Sequence, residues 1–215
     1  MKKQKIMATV ALAVLLALLC ACSNDNQPQN PAPPTGSQTQ NETSGEVIIT
    51  FNFEKQSGRA SNQFAVWIED TGGNHVKTLY ATHFTAGGGY KDRPDSIPTW
   101  VEKSGLATMT KSEVDAISGA TPKVGTLTYS WDLTDANGDT VSLGDYMFFI
   151  EGSLRWKNRV LYSGMISVGD SPVTVQAESE FFYEASDSQP ALSDDSPETE
   201  MIGAVTASYK PAAAD

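Results

Sequence analysis

Only two cysteines and two histidines occur in the 215 residues of this chain. Both cysteines, Cys20 and Cys22, close an apolar N-terminal run, and no thiol follows them. The remainder therefore has no disulfide, no cysteine nucleophile and no thiolate metal site, so its stability must come from its core. His75 and His83 have no acidic cluster beside them in sequence to complete a zinc site. Basic residues are also scarce, 15 against 26 acidic, for a net charge of −11. Such an acidic chain is a poor partner for nucleic acid and for anionic membrane surfaces. No HExxH sequence, nucleophile elbow or phosphate-cradling glycine loop before a helix is present. Beyond Leu19 there is no apolar run long enough to cross a bilayer.

The N-terminus reads in three parts. Lys2, Lys3 and Lys5 form a positive segment, Ile6 to Leu19 an uncharged apolar segment, and Leu19-Cys20-Ala21-Cys22 a processing site. The apolar part is too short for a membrane span and a polar stretch follows at once, as in a cleaved signal. Leu-x-Ala-Cys resembles the lipobox of bacterial lipoproteins. That resemblance implies removal of residues 1–21 and lipidation of Cys22, which would hold the protein to a membrane on its extracytoplasmic side, in the periplasm or at the cell surface. Loss of the three lysines leaves 12 basic and 26 acidic residues, a net charge of −14. Residues 22–45 then form a linker rich in Ser, Asn, Gln, Pro and Thr, without a large apolar residue. Such a composition is expected to act as a flexible tether.

Residues 46–215 are expected to form one domain. Val47–Phe53, Phe64–Glu69 and Val76–Tyr80 are rich in β-branched and aromatic residues, and the last two flank a Gly72-Gly73-Asn74 turn. Residues 84–98 hold Gly87-Gly88-Gly89, Pro94 and Pro98 and read as a long loop, a common place for function. Thr110-Lys111-Ser112-Glu113 fits a capping box and predicts a short helix through about Ile117. Residues 125–132 alternate with period two, and Asn137-Gly138 suits a turn into Tyr146–Glu151, so 125–151 is expected to be a hairpin. Val160–Val168 and Val173–Tyr183 read as two further strands. An acidic stretch, 184–200, reads as a solvated loop, and Met201–Tyr209 returns to strand character. Roughly eight short strands with a single short helix indicate an all-β, antiparallel β-sandwich.

Trp131, Asp132, Asp135, Gly138, Gly144 and Tyr146 resemble the hairpin pattern of the Ig-like domain of flagellar hook-capping proteins. This resemblance implies an Ig-like sandwich. The wider stretch from Phe64 to Gly169 is similar to a bacterial family of periplasmic proteins of unknown function, which shares an Asp-Ala-x-Ser/Thr-Gly-Ala-Thr run before the hairpin. Here that run is Asp115-Ala116-Ile117-Ser118-Gly119-Ala120-Thr121.

The same heptapeptide resembles the Asp-x-x-Ser-Gly-Ala-Thr acceptor of covalently flavinylated proteins, in which a flavin transferase joins the phosphate of FMN to the final threonine. The resemblance implies covalent FMN on Thr121 and an extracytoplasmic electron-transfer role, with a membrane redox protein as a further partner. An acceptor hydroxyl must be reachable, and the small Gly119 and Ala120 suit close approach by a transferase. Ser118 has a hydroxyl able to donate to a phosphate oxygen, and Asp115 a carboxylate able to orient the transferase or its metal. Trp100 and Tyr90, near the 84–98 loop, are the aromatic candidates to flank the flavin ring. Trp67 and Trp131 alternate into strands as core residues. Lys123 departs from the acceptor pattern, where serine or threonine is usual two residues after the acceptor. The run also reads as a plain helix-to-strand connection with Gly119 near the helix end. The alternative function is a cofactor-free structural or interaction module of the cell envelope. A third, glycan binding or hydrolysis, rests only on location and exposed aromatics. Asp132, Asp135, Asn137 and Asp139 present oxygen ligands at short spacing but lack the closing glutamate of an EF-hand loop.

Overall fold

The structure, a computed structural model, describes residues 44–56 and 62–213. The signal segment and Cys22 lie outside the described residues, as does nearly all of the linker. In chain order the elements are β1 (Gly45–Phe53), β2 (Gln63–Asp70), β3 (His75–Thr82), α1 (His83–Ala86), α2 (Pro98–Lys103), α3 (Lys111–Ile117), β4 (Ser118–Gly119), β5 (Gly125–Trp131), β6 (Gly144–Ser153), β7 (Arg159–Val168), β8 (Val173–Gln176), β9 (Glu178–Phe182) and β10 (Thr206–Pro211). Short 3-10 turns occupy Gly89–Lys91, Leu106–Thr108 and Pro197–Met201.

Alternation along β1 turns Val47, Ile49, Phe51 and Phe53 to one side. β1 pairs with β5 and β10, and the four-stranded sheet runs β5-β1-β10-β8. The second sheet runs β4-β3-β2-β6-β7-β9, antiparallel except for the parallel β3–β4 pair. Phe64, Val66, Ile68, Phe148, Ile150, Val160 and Ile166 of this sheet meet the β1 side chains in the main core. The expected β-sandwich is therefore present.

β2 does not alternate. Residues 63–69 are all buried, because the outer face of the second sheet is covered as well. Ala65, Trp67 and Ala81 point to that face and pack with Ile97, Trp100 and Leu106 from the segment between β3 and α3. A continuous apolar run is the pattern of a strand buried on both faces. The stretch read as a long loop is thus a helical cover, with α1, a 3-10 turn and the start of α2 inside residues 84–98. Two short helices accompany the expected one.

Two expected strand arrangements are corrected. Residues 125–151 do not fold back as one hairpin: β5 pairs with β1 in one sheet and β6 with β2 and β7 in the other. Only a small local bridge, Thr134 with Thr140, spans the Asn137-Gly138 turn. The period-two spacing determines which side of a strand is apolar, not which sheet receives it. Trp131 and Tyr146 still meet edge to face across the sandwich, 4.9 Å between centroids. Val173–Tyr183 breaks at Ala177 into β8, beside β10, and β9, beside β7. Residues 184–200 are largely exposed, as expected, and are anchored at several points. Asn158 Oδ1 accepts the N–H groups of Glu184 and Leu192, Tyr183 donates to Asp194, and Arg155 pairs with Glu198.

Several turn carboxylates are held ionised by local donors. The Asn74 side chain, and then its backbone N–H, hold Asp70 below its ordinary value of 3.8. The Asp139 N–H, followed by donors at Asn137, does the same for Asp135. A carboxyl whose folded pKa is depressed contributes stability above its unfolded pKa and loses it as pH falls through the folded value. Thermal melts are therefore expected to show a decline in Tm below pH 3.8, and Asp70→Asn with Asp135→Asn should flatten that acid limb. An unchanged limb in the double variant refutes this assignment.

Candidate functional site

The Asp115–Thr121 run starts on α3 and ends just past the edge of the second sheet. Its helix begins as expected: Thr110 Oγ1 accepts the Glu113 N–H at 3.3 Å, and Glu113 Oε2 accepts the Thr110 N–H at 2.6 Å. Thr110→Ala is expected to destabilise the domain by about 1 kcal/mol in urea titrations, through loss of this box. No buried residue lies on α3 itself, so the cap matters to a helix with little packing of its own.

α3 leads straight into β4, where Ser118 and Gly119 pair in parallel with Ala81 and Thr82 of β3. Two side chains of the neighbouring strand region clamp the run. Tyr80 Oη donates to the Ala120 carbonyl at 2.7 Å and lies 3.2 Å from the Gly119 carbonyl. His83 Nδ1 lies 3.0 Å from Ser118 Oγ. Burial pushes the Tyr80 phenol up to about 12, so it remains a donor throughout the physiological range. A Cβ at Gly119 would sit 3.0 Å from Tyr80 Cε2, which explains a glycine there in terms of packing. Asp115 and Ala120 are exposed and Thr121 is half-buried. The Thr121 hydroxyl has no hydrogen-bond partner among the described residues.

A concavity lies on each side of α3. One is a cleft of about 300 Å³ bounded by His83, the Gly87-Gly88 turn, Tyr90, Lys91, Lys111 and Asp115. The other is a groove of about 460 Å³ whose wall includes Leu79, Met109, Ala116 and Ile117, with Lys77 and Asp132 at its rim. Lys77 and Asp132 are paired at 2.8 Å. Thr121 lines neither concavity.

The structure brings Asp115 and Tyr90 to the same cleft and joins Ser118 to it through His83. It removes Trp100 from the set. Trp100 is fully buried beneath the helical cover, and its Nε1 donates to Thr78 Oγ1 at 3.0 Å. A ring packed from both sides cannot receive a ligand ring, so Trp100 is a core residue. Trp67 and Trp131 are core residues as expected. His75 opens β3, with Nε2 against Thr78 Oγ1 at 2.8 Å, and its burial lowers its pKa. The Asp135 carboxylate accepts from the N–H groups of Asn137 and Asp139, a turn function. No group of three or more potential metal ligands occurs among the described residues. His83, Lys91 and Lys111 are the site residues that sequence reading missed. Lys111 sat inside the capping box and Lys91 inside the 84–98 stretch, and neither pattern marked the residue itself.

These features define a class: a two-sheet β-sandwich with a helical layer on one face and a clamped, small-residue run at the sheet edge. The chain belongs to the family of predicted periplasmic proteins of unknown function, DUF2271, whose family model matches residues 46–184. Membership supports an extracytoplasmic location. No curated protein and no solved structure matches the chain.

Proposed function

We propose that this protein is a lipid-anchored, extracytoplasmic electron carrier bearing FMN covalently on Thr121. The observation that carries the reading is the Asp115–Thr121 run with its acceptor hydroxyl unpartnered among the described residues. The residues suit such a group. The hydroxyl is partly accessible, and Gly119 and Ala120 keep the approach to it small. The clamp from Tyr80 and His83 fixes the backbone before it, and a cleft with an aromatic wall adjoins the same helix. Asp115, Ser118 and Tyr90 are the motif and cleft residues toward such a group. When bound, a flavin supplies reversible one- and two-electron chemistry, while the protein supplies position and electrostatics. Attachment through Thr121 and an anchor at Cys22 would keep the flavin close to membrane redox partners.

The test is co-expression of the full chain with a flavin transferase. The expected result is in-gel flavin fluorescence and a Thr121-containing peptide heavier by one FMN less one water. Absence of both overturns the reading. A second reading, a cofactor-free envelope module, is favoured by the larger groove, which involves neither Thr121 nor Tyr90.

A further inference from the structure

The cleft beside α3 is a basic island on an acidic protein. Lys91, Lys111 and His83 line it against one carboxylate, Asp115, although acidic residues outnumber basic ones 26 to 15 in the whole chain. Among the described residues neither Lys91 nor Lys111 is in an ion pair, whereas Lys77, Lys103 and Lys157 are. Unpaired like charges around one concavity produce a local positive potential that favours an anion.

The shape adds to the charge. Nothing lies within 4 Å of the Cβ position of Gly88, which has φ +113, so the backbone leaves the cleft open there. A Cβ at Gly87 would sit 2.9 Å from the His83 carbonyl, so a side chain at that position would disturb the turn. Tyr90 is half-buried, and Lys91 Nζ lies 5.7 Å from its ring centroid. Buried Leu106 and half-buried Val114 add apolar side chains to a lining of mixed polarity. Tyr90 and these apolar side chains beside two unpaired lysines fit a flat ring that gains negative charge. The groove across α3 fits this less well, because Lys77 is already paired with Asp132 and Glu113 adds a further carboxylate.

We infer that this cleft seats the isoalloxazine ring of the flavin carried by Thr121, with Tyr90 packed on the ring and Lys91 and Lys111 stabilising the charge it gains on reduction. This inference rests on the flavin reading above. The cleft is coupled to the acceptor run at two points, Asp115 itself and the contact of His83 with Ser118. The lysines therefore raise the midpoint potential of the bound flavin, and contact with Tyr90 quenches its fluorescence.

The experiment uses the full chain loaded by co-expression with a flavin transferase. It reads label stoichiometry by mass, midpoint potential by spectroelectrochemical titration, and fluorescence yield per flavin. Lys91→Gln with Lys111→Gln is expected to shift the potential downward. Lys55→Gln with Lys210→Gln, an equal change of charge at exposed positions outside the cleft, is expected to leave it in place. Tyr90→Leu is expected to raise the fluorescence yield several-fold. Labelled variants with unaltered potential or unaltered fluorescence overturn the placement of the ring and leave attachment at Thr121 standing. An unlabelled wild type overturns both.

Discussion

Thr121→Val is expected to abolish flavin attachment completely while leaving the domain folded. Valine matches threonine in shape and lacks only the hydroxyl that would bond to phosphorus. The position lies outside every strand and helix, and its hydroxyl has no partner among the described residues, so removing that group breaks no described contact. Thr121→Ser keeps a hydroxyl and is expected to keep the label. Ser118→Ala loses the contact with His83 but not the acceptor, so it should label at a reduced level. In-gel fluorescence, peptide mass and thermal melts on the three variants separate loss of chemistry from loss of fold. A labelled Thr121→Val protein would move the attachment to another hydroxyl and refute the assignment of Thr121.

Glu151→Ala is expected to destabilise the protein by about 1–3 kcal/mol, because it removes the acceptor of backbone N–H groups at the start of α2. Glu151 sits on β6 with no exposed surface, facing the helical cover. Its Oε2 accepts the Trp100 N–H at 2.9 Å, and its Oε1 accepts the Thr99 N–H at 3.3 Å and Arg159 Nη1 at 3.1 Å. One carboxylate thus fastens the start of α2 to the second sheet, and Trp100 seals the contact. Alanine would leave two backbone donors without their acceptor and cost Arg159 its carboxylate, while Arg159 keeps Thr99 Oγ1 and the Phe182 ring. Glu151→Gln retains an acceptor oxygen and should cost much less. Burial pushes the Glu151 carboxyl above its ordinary value of 4.5, in spite of these donors. A folded pKa raised in this way means that its contribution is complete below pH 4.5 and declines as pH rises through the folded value, opposite in sense to Asp70 and Asp135. Glu151→Gln is therefore expected to remove that decline as well. Urea titrations across pH check both points, and a Glu151→Ala protein as stable as wild type would refute the role.

The cover that Glu151 fastens also carries the cleft residues Tyr90 and Lys91, so its stability bears on the site. Native-state hydrogen exchange would register any loosening first at the N–H groups of Thr99 and Trp100, which lose their acceptor.

Local chemistry was legible where it acts locally. The Thr110–Glu113 box, the turn between β2 and β3, and the inward sides of β1 and β10 all follow from residue type and spacing. Strand partnership was not legible in the same way. β5 and β6 each show an apolar side and are joined through an Asn-Gly turn, yet their partners are far away in sequence. Trp100 was misplaced for a related reason. An aromatic residue after a stretch of glycine and proline reads as exposed, and α2 is too short for a period of 3.6 to declare its buried side.

The sequence by itself determined the chemistry available to this protein: a β-rich domain without thiols and an acidic surface. It also supplied an exported-type N-terminus and the run from Asp115 to Thr121. Only the tertiary structure decided which residues surround that run. His83, Lys91 and Lys111 are drawn to one cleft because Ile97, Trp100 and Leu106 fold the intervening segment onto the outer face of the second sheet. That burial is driven by apolar area contributed from several elements at once, and no window of adjacent residues contains it.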